Sequence, residues 1–346
     1  MHGDPPPTAV VLRITDAVPP TAGAVVMGTA IVSIGLSLDH RETLSRILLI
    51  IDATTWLALG LVLAGRAATH RERAYREARS PAALTGVAGT AVLGIRLVLL
   101  GWSRAGIAML AIATLLWLVL LAPVLRNWAT PTVGVAFVLT VSTESLGVLS
   151  AVLAASEHAA WLLYAALALL LLGLGFYAFV LSRFDLRQLL VGHGDHWVTG
   201  GALAISTLAA ARITLAARSL EALTALAGLL KVLSVVLWGL AIAWLPILLI
   251  AEALRRRPSY DARRWSTVFP VGMYAVCSFI AGAAAHAPVI ADFARLWVWV
   301  AVAVWLLVFV GMLRRGWKLA RPFSSASRTG QQSGARAPAG FATRRP

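Results

Sequence analysis

The chain has 346 residues, 59 % of them hydrophobic and only 13 % charged, with a mean hydropathy of +0.81. No soluble domain of this size needs so much apolar sequence, and runs of about 20 apolar residues mean transmembrane helices. The net charge of +15 does not point to nucleic acid, because the arginines lie mostly in short loops and the tail and form no basic face on a soluble fold. Cys277 is the single cysteine, inside an apolar segment, which excludes a disulfide framework or a cysteine-rich metal site within one chain. Met1 to Pro7 lack a basic region followed by an apolar core, so no cleaved signal peptide is expected.

Taken in order, the chain reads as ten membrane spans at about 20–38, 46–65, 84–101, 105–125, 131–152, 160–182, 197–217, 226–252, 265–285 and 293–313. Each is long enough for a helix to cross about 30 Å of hydrocarbon, and the eighth, the longest, has length to spare for tilt. Short loops make sequence neighbours antiparallel neighbours, so the fold class is an all-α membrane protein of five helical hairpins. No convincing sequence repeat links them. Three segments result: residues 1–18 as a cytoplasmic N-terminal piece, 19–317 as the membrane domain and 318–346 as a basic, disordered cytoplasmic tail.

Orientation follows from the loops. Arg66, Arg71, Arg73, Arg76 and Arg79 crowd one, and Arg255, Arg256, Arg257, Arg263 and Arg264 another, whereas 153–159 and 286–292 contain no lysine or arginine. The positive-inside rule then puts both termini in the cytoplasm of a cell with the chain in its plasma membrane.

The hairpins are chemically lopsided. Odd spans hold most hydroxyls, with Thr29 and Ser33 in the first, Ser142 and Thr143 in the fifth, Ser206 and Thr207 in the seventh and Thr267 in the ninth. Even spans are richer in leucine and tryptophan, as in Trp117, Trp238 and Trp305. Small polar residues suit either helix contacts or a wet lumen, and leucine suits lipid. An inner ring of odd spans around a central pore, inside an outer ring of even ones, is the simplest arrangement. Gly28 beside Thr29 fits both packing and lumen.

Ionisable residues inside spans mark function or tight pairing. They are Asp52, Arg96, Glu144, Arg212 and Lys231, all expected in the outer half of the membrane. Glu144 stands about 13 residues, roughly 20 Å, from the inner end of its span and has to be paired, protonated or facing water, with Arg212 as one candidate partner. Three cations against two acids favour an anion at the outer entrance. Elsewhere the chemistry is thin. His193-Gly194-Asp195-His196 offers metal-type ligands without a third partner, and no nucleophile–base grouping stands out, so neither a metal, a cofactor nor an enzyme is expected.

The ninth span opens with Arg263-Arg264-Trp265-Ser266-Thr267-Val268-Phe269-Pro270-Val271-Gly272-Met273-Tyr274. Pro270 removes a backbone donor and kinks the helix beside an aromatic ring. Such a ring is able to plug a pore; an ordinary kink packed against neighbours accounts for the same residues.

Four pieces together resemble the tellurite-resistance/C4-dicarboxylate transporter family, which includes the slow-type plant anion channels. They are Val26-Met27-Gly28-Thr29-Ala30-Ile31-Val32-Ser33, Thr140-Val141-Ser142-Thr143-Glu144-Ser145-Leu146, Trp197 to Ala209, and Arg264 to Tyr274. The resemblance runs from about residue 19 to 317. It implies five hairpins with odd helices around a pore, a homotrimer in the lipid bilayer, and passage of chloride, nitrate, sulfite or dicarboxylates such as malate. It also implies that Phe269, next to Pro270, blocks the pore. Glutamate at 144 departs from the neutral residue expected there. A mid-membrane gate at Phe269 requires the ninth helix to begin near Pro258. The resulting expectation is an anion channel or permease. Its alternative is a proton-coupled dicarboxylate or sulfite exporter with Glu144 as the proton site, and a more distant one is a membrane-embedded enzyme or scaffold.

Overall fold

A computed structural model describes residues 18–129, 132–187, 189, 194, 196–254 and 260–320. Ten helices long and apolar enough to cross a membrane are present among them: Pro20–Leu38, Glu42–Thr69, Pro81–Leu99, Ser103–Arg126, Gly134–Glu157, Ala160–Leu181, Trp197–Ser219, Thr224–Leu254, Ala262–Ala285 and Pro288–Trp317. They match the ten expected spans in number and order. Among the described residues the only strand-like pairing is one isolated bridge, Thr132 to Phe184. The expected segments 1–18 and 318–346 lie almost entirely outside the described residues. The arginine-rich connection after the second span is not a simple loop, since Arg71–Ala78 forms a short helix of its own.

Burial divides the spans by parity. In the odd spans 72–94 % of the most apolar stretch is buried, against 11–33 % in the even ones. Consecutive spans pack as five hairpins. Beyond that, the odd spans close a circle in chain order: first on third, third on fifth, fifth on seventh, seventh on ninth and ninth on first. Each even span lies in the groove between its hairpin partner and the next odd span, the tenth wedging between the ninth and the first. The molecule is a five-membered ring sheathed by five outer helices.

Composition explains the division. Between helices in lipid there is no hydrophobic drive, so association rests on close packing of small residues and on interhelical hydrogen bonds. The fifth and seventh spans are rich in Ala, Ser, Thr and Gly and bury on all sides; Leu57, Leu61, Leu171, Leu229 and Leu307 of the even spans stay exposed, as lipid-facing residues should. The turns at the end of the ring away from the arginines are tight. Each contains a left-handed residue: His40, Gly101, His158, Glu221 and His286. A left-handed residue after a helix lets the chain reverse within a few residues.

Candidate conduit and gate

The ninth span owes its place to glycines on both neighbours. A Cβ at Gly28 of the first span would lie 3.1 Å from Val268 and 3.2 Å from Trp265. A Cβ at Gly201 of the seventh would lie 2.9 Å from the ring of Pro270. On its outer side the Val271 carbonyl accepts from the Trp297 indole at 3.1 Å, and Ser278 Oγ accepts from Trp238 at 2.8 Å. At about 100° per residue, three sides of the helix are thereby taken. The remaining face carries Phe269, Met273 and Ile280 and turns toward the middle of the ring. Phe269 is 1 % exposed.

The helix begins with the turn Ala262–Arg264, capped by Asp261, whose carboxylate accepts from the Arg263 amide. Tyr260 and Asp261 are not helical, so the earlier start is absent there; Pro258 itself lies outside the described residues. Phe269 therefore sits about 10 Å along its helix from the arginine-rich end.

The candidate hydroxyls are engaged at helix seams. Thr29 Oγ1 donates to Val25 O at 2.8 Å and accepts from Trp305 of the tenth span at 3.0 Å. Thr143 donates to Leu139 O at 2.9 Å and accepts from Trp117 of the fourth at 3.0 Å. Thr90, in the third, accepts from Trp56 of the second at 2.9 Å. Ser33 exchanges bonds with Ser45 of the second span, the two hydroxyls 3.1 Å apart. Ser142 donates to Leu139 O and stands two turns from Leu149, which packs at Gly94 of the third span. Thr207, bonded to Leu203 O, is two turns from Gly200, which faces Leu248 of the eighth. Half-buried Thr267 lies one turn before Val271, on the outer-facing side.

A spatial repeat emerges that the sequence does not advertise. Thr29, Thr90, Thr143 and Ser206 each come nine residues after the first residue of their spans, Pro20, Pro81, Gly134 and Trp197. Three of the four meet a tryptophan from the preceding hairpin. At the fourth junction the outer helix offers no tryptophan but Gly173, and a Cβ there would overlap the Glu144 side chain. Glu144 fills the gap and takes the Ser206 hydroxyl at 2.9 and 2.7 Å. It is fully buried.

The charged candidates part company. Arg96 is buried and bonds Ser45 at 2.9 Å and Glu42 at 2.8 Å. Asp52 is buried on the face of the second span that also carries Ser45, two turns away, and its oxygens have no partner among the described residues. Lys231 is half-buried on an outer helix. Arg212 makes no ion pair with Glu144: the carboxylate bonds Ser206, and Arg212 Nε has no partner among the described residues. Glu144 is ten residues from Gly134 in a 24-residue span, which is mid-span and not the outer half. On the seventh span, Gly201 meets the ninth and Ser206 the fifth. The face between them, away from the outer helices, carries Ile205, Ala209 and Arg212. Arg212 is half-buried between buried Ala211 and Ile213.

Of the loop His193-Gly194-Asp195-His196, His193 and Asp195 lie outside the described residues, and no cluster of three His, Cys, Asp or Glu side chains occurs among the described ones.

Ten apolar helices arranged as a sheathed ring define a multi-pass membrane protein. Residues 17–313 match the family model described as voltage-dependent anion channel (SLAC1), and the chain belongs to that family, whose members are anion channels or transporters. Two uncharacterised membrane proteins of Mycobacterium tuberculosis, Rv1735c of strain H37Rv and MT1776 of strain CDC 1551, are each 40 % identical to it over 123 residues. Those alignments cover 34 % of this chain and 62 % of each relative.

Proposed function

We propose that the ring axis is a conduit for small inorganic or organic-acid anions in the plasma membrane, with Phe269 as its steric gate. The observation that carries this reading is the bracketing of the ninth span by Gly28 and Gly201, which leaves Phe269 on the inward face with almost no exposed surface. Pro270 seats against Gly201, which fixes the height of the Phe269 ring. The wall is chiefly apolar, with Met27, Ile34, Ile205, Met273 and Ile280 on inward faces. Thr29, Ser33, Thr90 and Thr143 of the odd helices serve the seams. An apolar constriction resists a hydrated ion until the ring moves, and Arg212, a cation with no counter-charge among the described residues, favours anions beyond it.

A second reading rests on Glu144. The Ser206 hydroxyl has one proton but also lies 2.9 Å from Ala202 O. A protonated Glu144 donating to Ser206, with Ser206 donating to Ala202 O, satisfies every group. Such a carboxyl is the natural proton site of a coupled dicarboxylate or sulfite exporter. A homotrimer with both termini in the cytoplasm accompanies either reading.

Anion-replacement flux into liposomes holding the purified protein, with and without a pH gradient, tests both. Anion flux independent of the gradient supports the channel. Flux only with the gradient supports the exporter, and none under either condition overturns both.

A further inference from the structure

We propose that the crevice between the second and fourth spans holds one acyl chain of an anionic phospholipid, with the phosphate at the arginine rim. The crevice has a cavity volume of about 490 Å³. Its walls are Leu59 and Leu63 of the second span and Leu116 and Leu120 of the fourth. Its floor is the seam where the first and third ring helices meet, at Gly23 and Gly86. That seam is slim, and a Cβ built on Gly86 meets nothing within 4 Å.

Depth and charge identify the occupant. The lining runs from Trp56 to Arg66 along the second span, which is about 15 Å at 1.5 Å per residue. That is about half of a 30 Å hydrocarbon core, the depth of one leaflet. At the shallow end the lining changes from leucine to Arg66 and Glu77, an ion pair 2.8 Å long, and to Ala74 and Ala78 of the short helix Arg71–Ala78. That helix and its flanks carry Arg66, Arg71, Arg73, Arg76 and Arg79 against Glu72 and Glu77, and Arg71 and Arg76 are exposed. The occupant must therefore be apolar for the depth of a leaflet and anionic where it meets the rim. An arginine cluster just beyond the membrane end of a helix attracts anionic headgroups in this way. The lipid would buttress two ring helices from behind.

The test uses the purified full chain, stripped of lipid, with phosphatidylglycerol or phosphatidylcholine added back and retention read by native mass spectrometry. The wild type should retain phosphatidylglycerol roughly thirtyfold better, from the two exposed arginines of the rim. Exchanging both exposed arginines, Arg71→Gln with Arg76→Gln, should abolish the preference and keep the fold. Gly86→Leu, whose Cβ meets nothing within 4 Å and whose side chain extends into the floor, should lower retention of both lipids. Equal retention of the two lipids by the wild type, or undiminished retention in Gly86→Leu, overturns the proposal. So does a Gly86→Leu protein that changes its oligomeric mass but not its lipid retention, which would assign the crevice to a second copy of the chain.

Discussion

Trp305 donates its indole N–H to Thr29 Oγ1 across 3.0 Å and 276 positions of sequence, joining the tenth span to the first. Trp56 with Thr90, Trp117 with Thr143 and Trp238 with Ser278 repeat the arrangement, always from an even span to the next odd one. The hairpins are thus stitched into a circle by bonds that cross from one to the next. Thr29→Val leaves a buried indole donor unpaired, and a double-mutant cycle with Trp305→Phe should give a coupling of about 1 kcal/mol toward destabilisation. Anion flux per folded protein should not change. A large flux change in Thr29→Val with unaltered stability would move that hydroxyl from the seam to the wall.

Gly173 and Glu144 share one space. Gly173→Ala forces its new methyl into the carboxylate side chain and should cost about 1–3 kcal/mol, as overpacking does. Glu144→Ala in the same chain should recover most of that loss. Unfolding in mixed micelles reads both, and a Gly173→Ala protein as stable as the wild type contradicts the geometry.

Glu144→Gln keeps a donor and an acceptor beside Ser206. Anion flux should survive the change if the protein is a channel, and pH-gradient-driven flux should collapse if Glu144 carries the coupled proton. Parallel flux measurements on wild type and variant at equal and unequal pH separate the two.

Arg212 and Arg96 occupy the same depth, each fifteen residues past the start of its span, but their charges meet different fates. Arg96 pairs with Glu42; Arg212 has no acidic partner among the described residues. Arg212→Gln should reduce anion flux several-fold with little change in stability. Arg96→Gln should destabilise the fold, because it removes a buried guanidinium that bonds Ser45 and Glu42, while Glu42 keeps Ser37 and Arg46; it should leave ion preference alone. Reversal potentials in mixed salts, alongside melting curves, distinguish the pair.

Much of this architecture was legible in the residues. Apolar run lengths gave the ten helices, and the concentration of glycine, serine and threonine in alternate helices gave the inner ring. What composition does not carry is which side of a helix a hydroxyl faces. Thr29 and Thr143 fit a wet lumen or a helix contact equally well until Trp305 and Trp117 are seen against them. A signal was there: Trp56, Trp117 and Trp238 each fall fourteen residues into their spans, at Glu42, Ser103 and Thr224. Aligning the hairpins by depth exposes that period, although their sequences otherwise share little. Glu144 was unreadable for another reason. Its partner, Ser206, is 62 positions away, and its room comes from a missing side chain at Gly173.

The most direct measurement is efflux of a radiolabelled or fluorescent-probe-reported anion from liposomes containing wild type or Phe269→Ala at equal protein content. Efflux from the alanine variant should be severalfold faster, with cations still excluded. Unchanged efflux from a variant that folds and inserts as the wild type does would contradict the gate at Phe269.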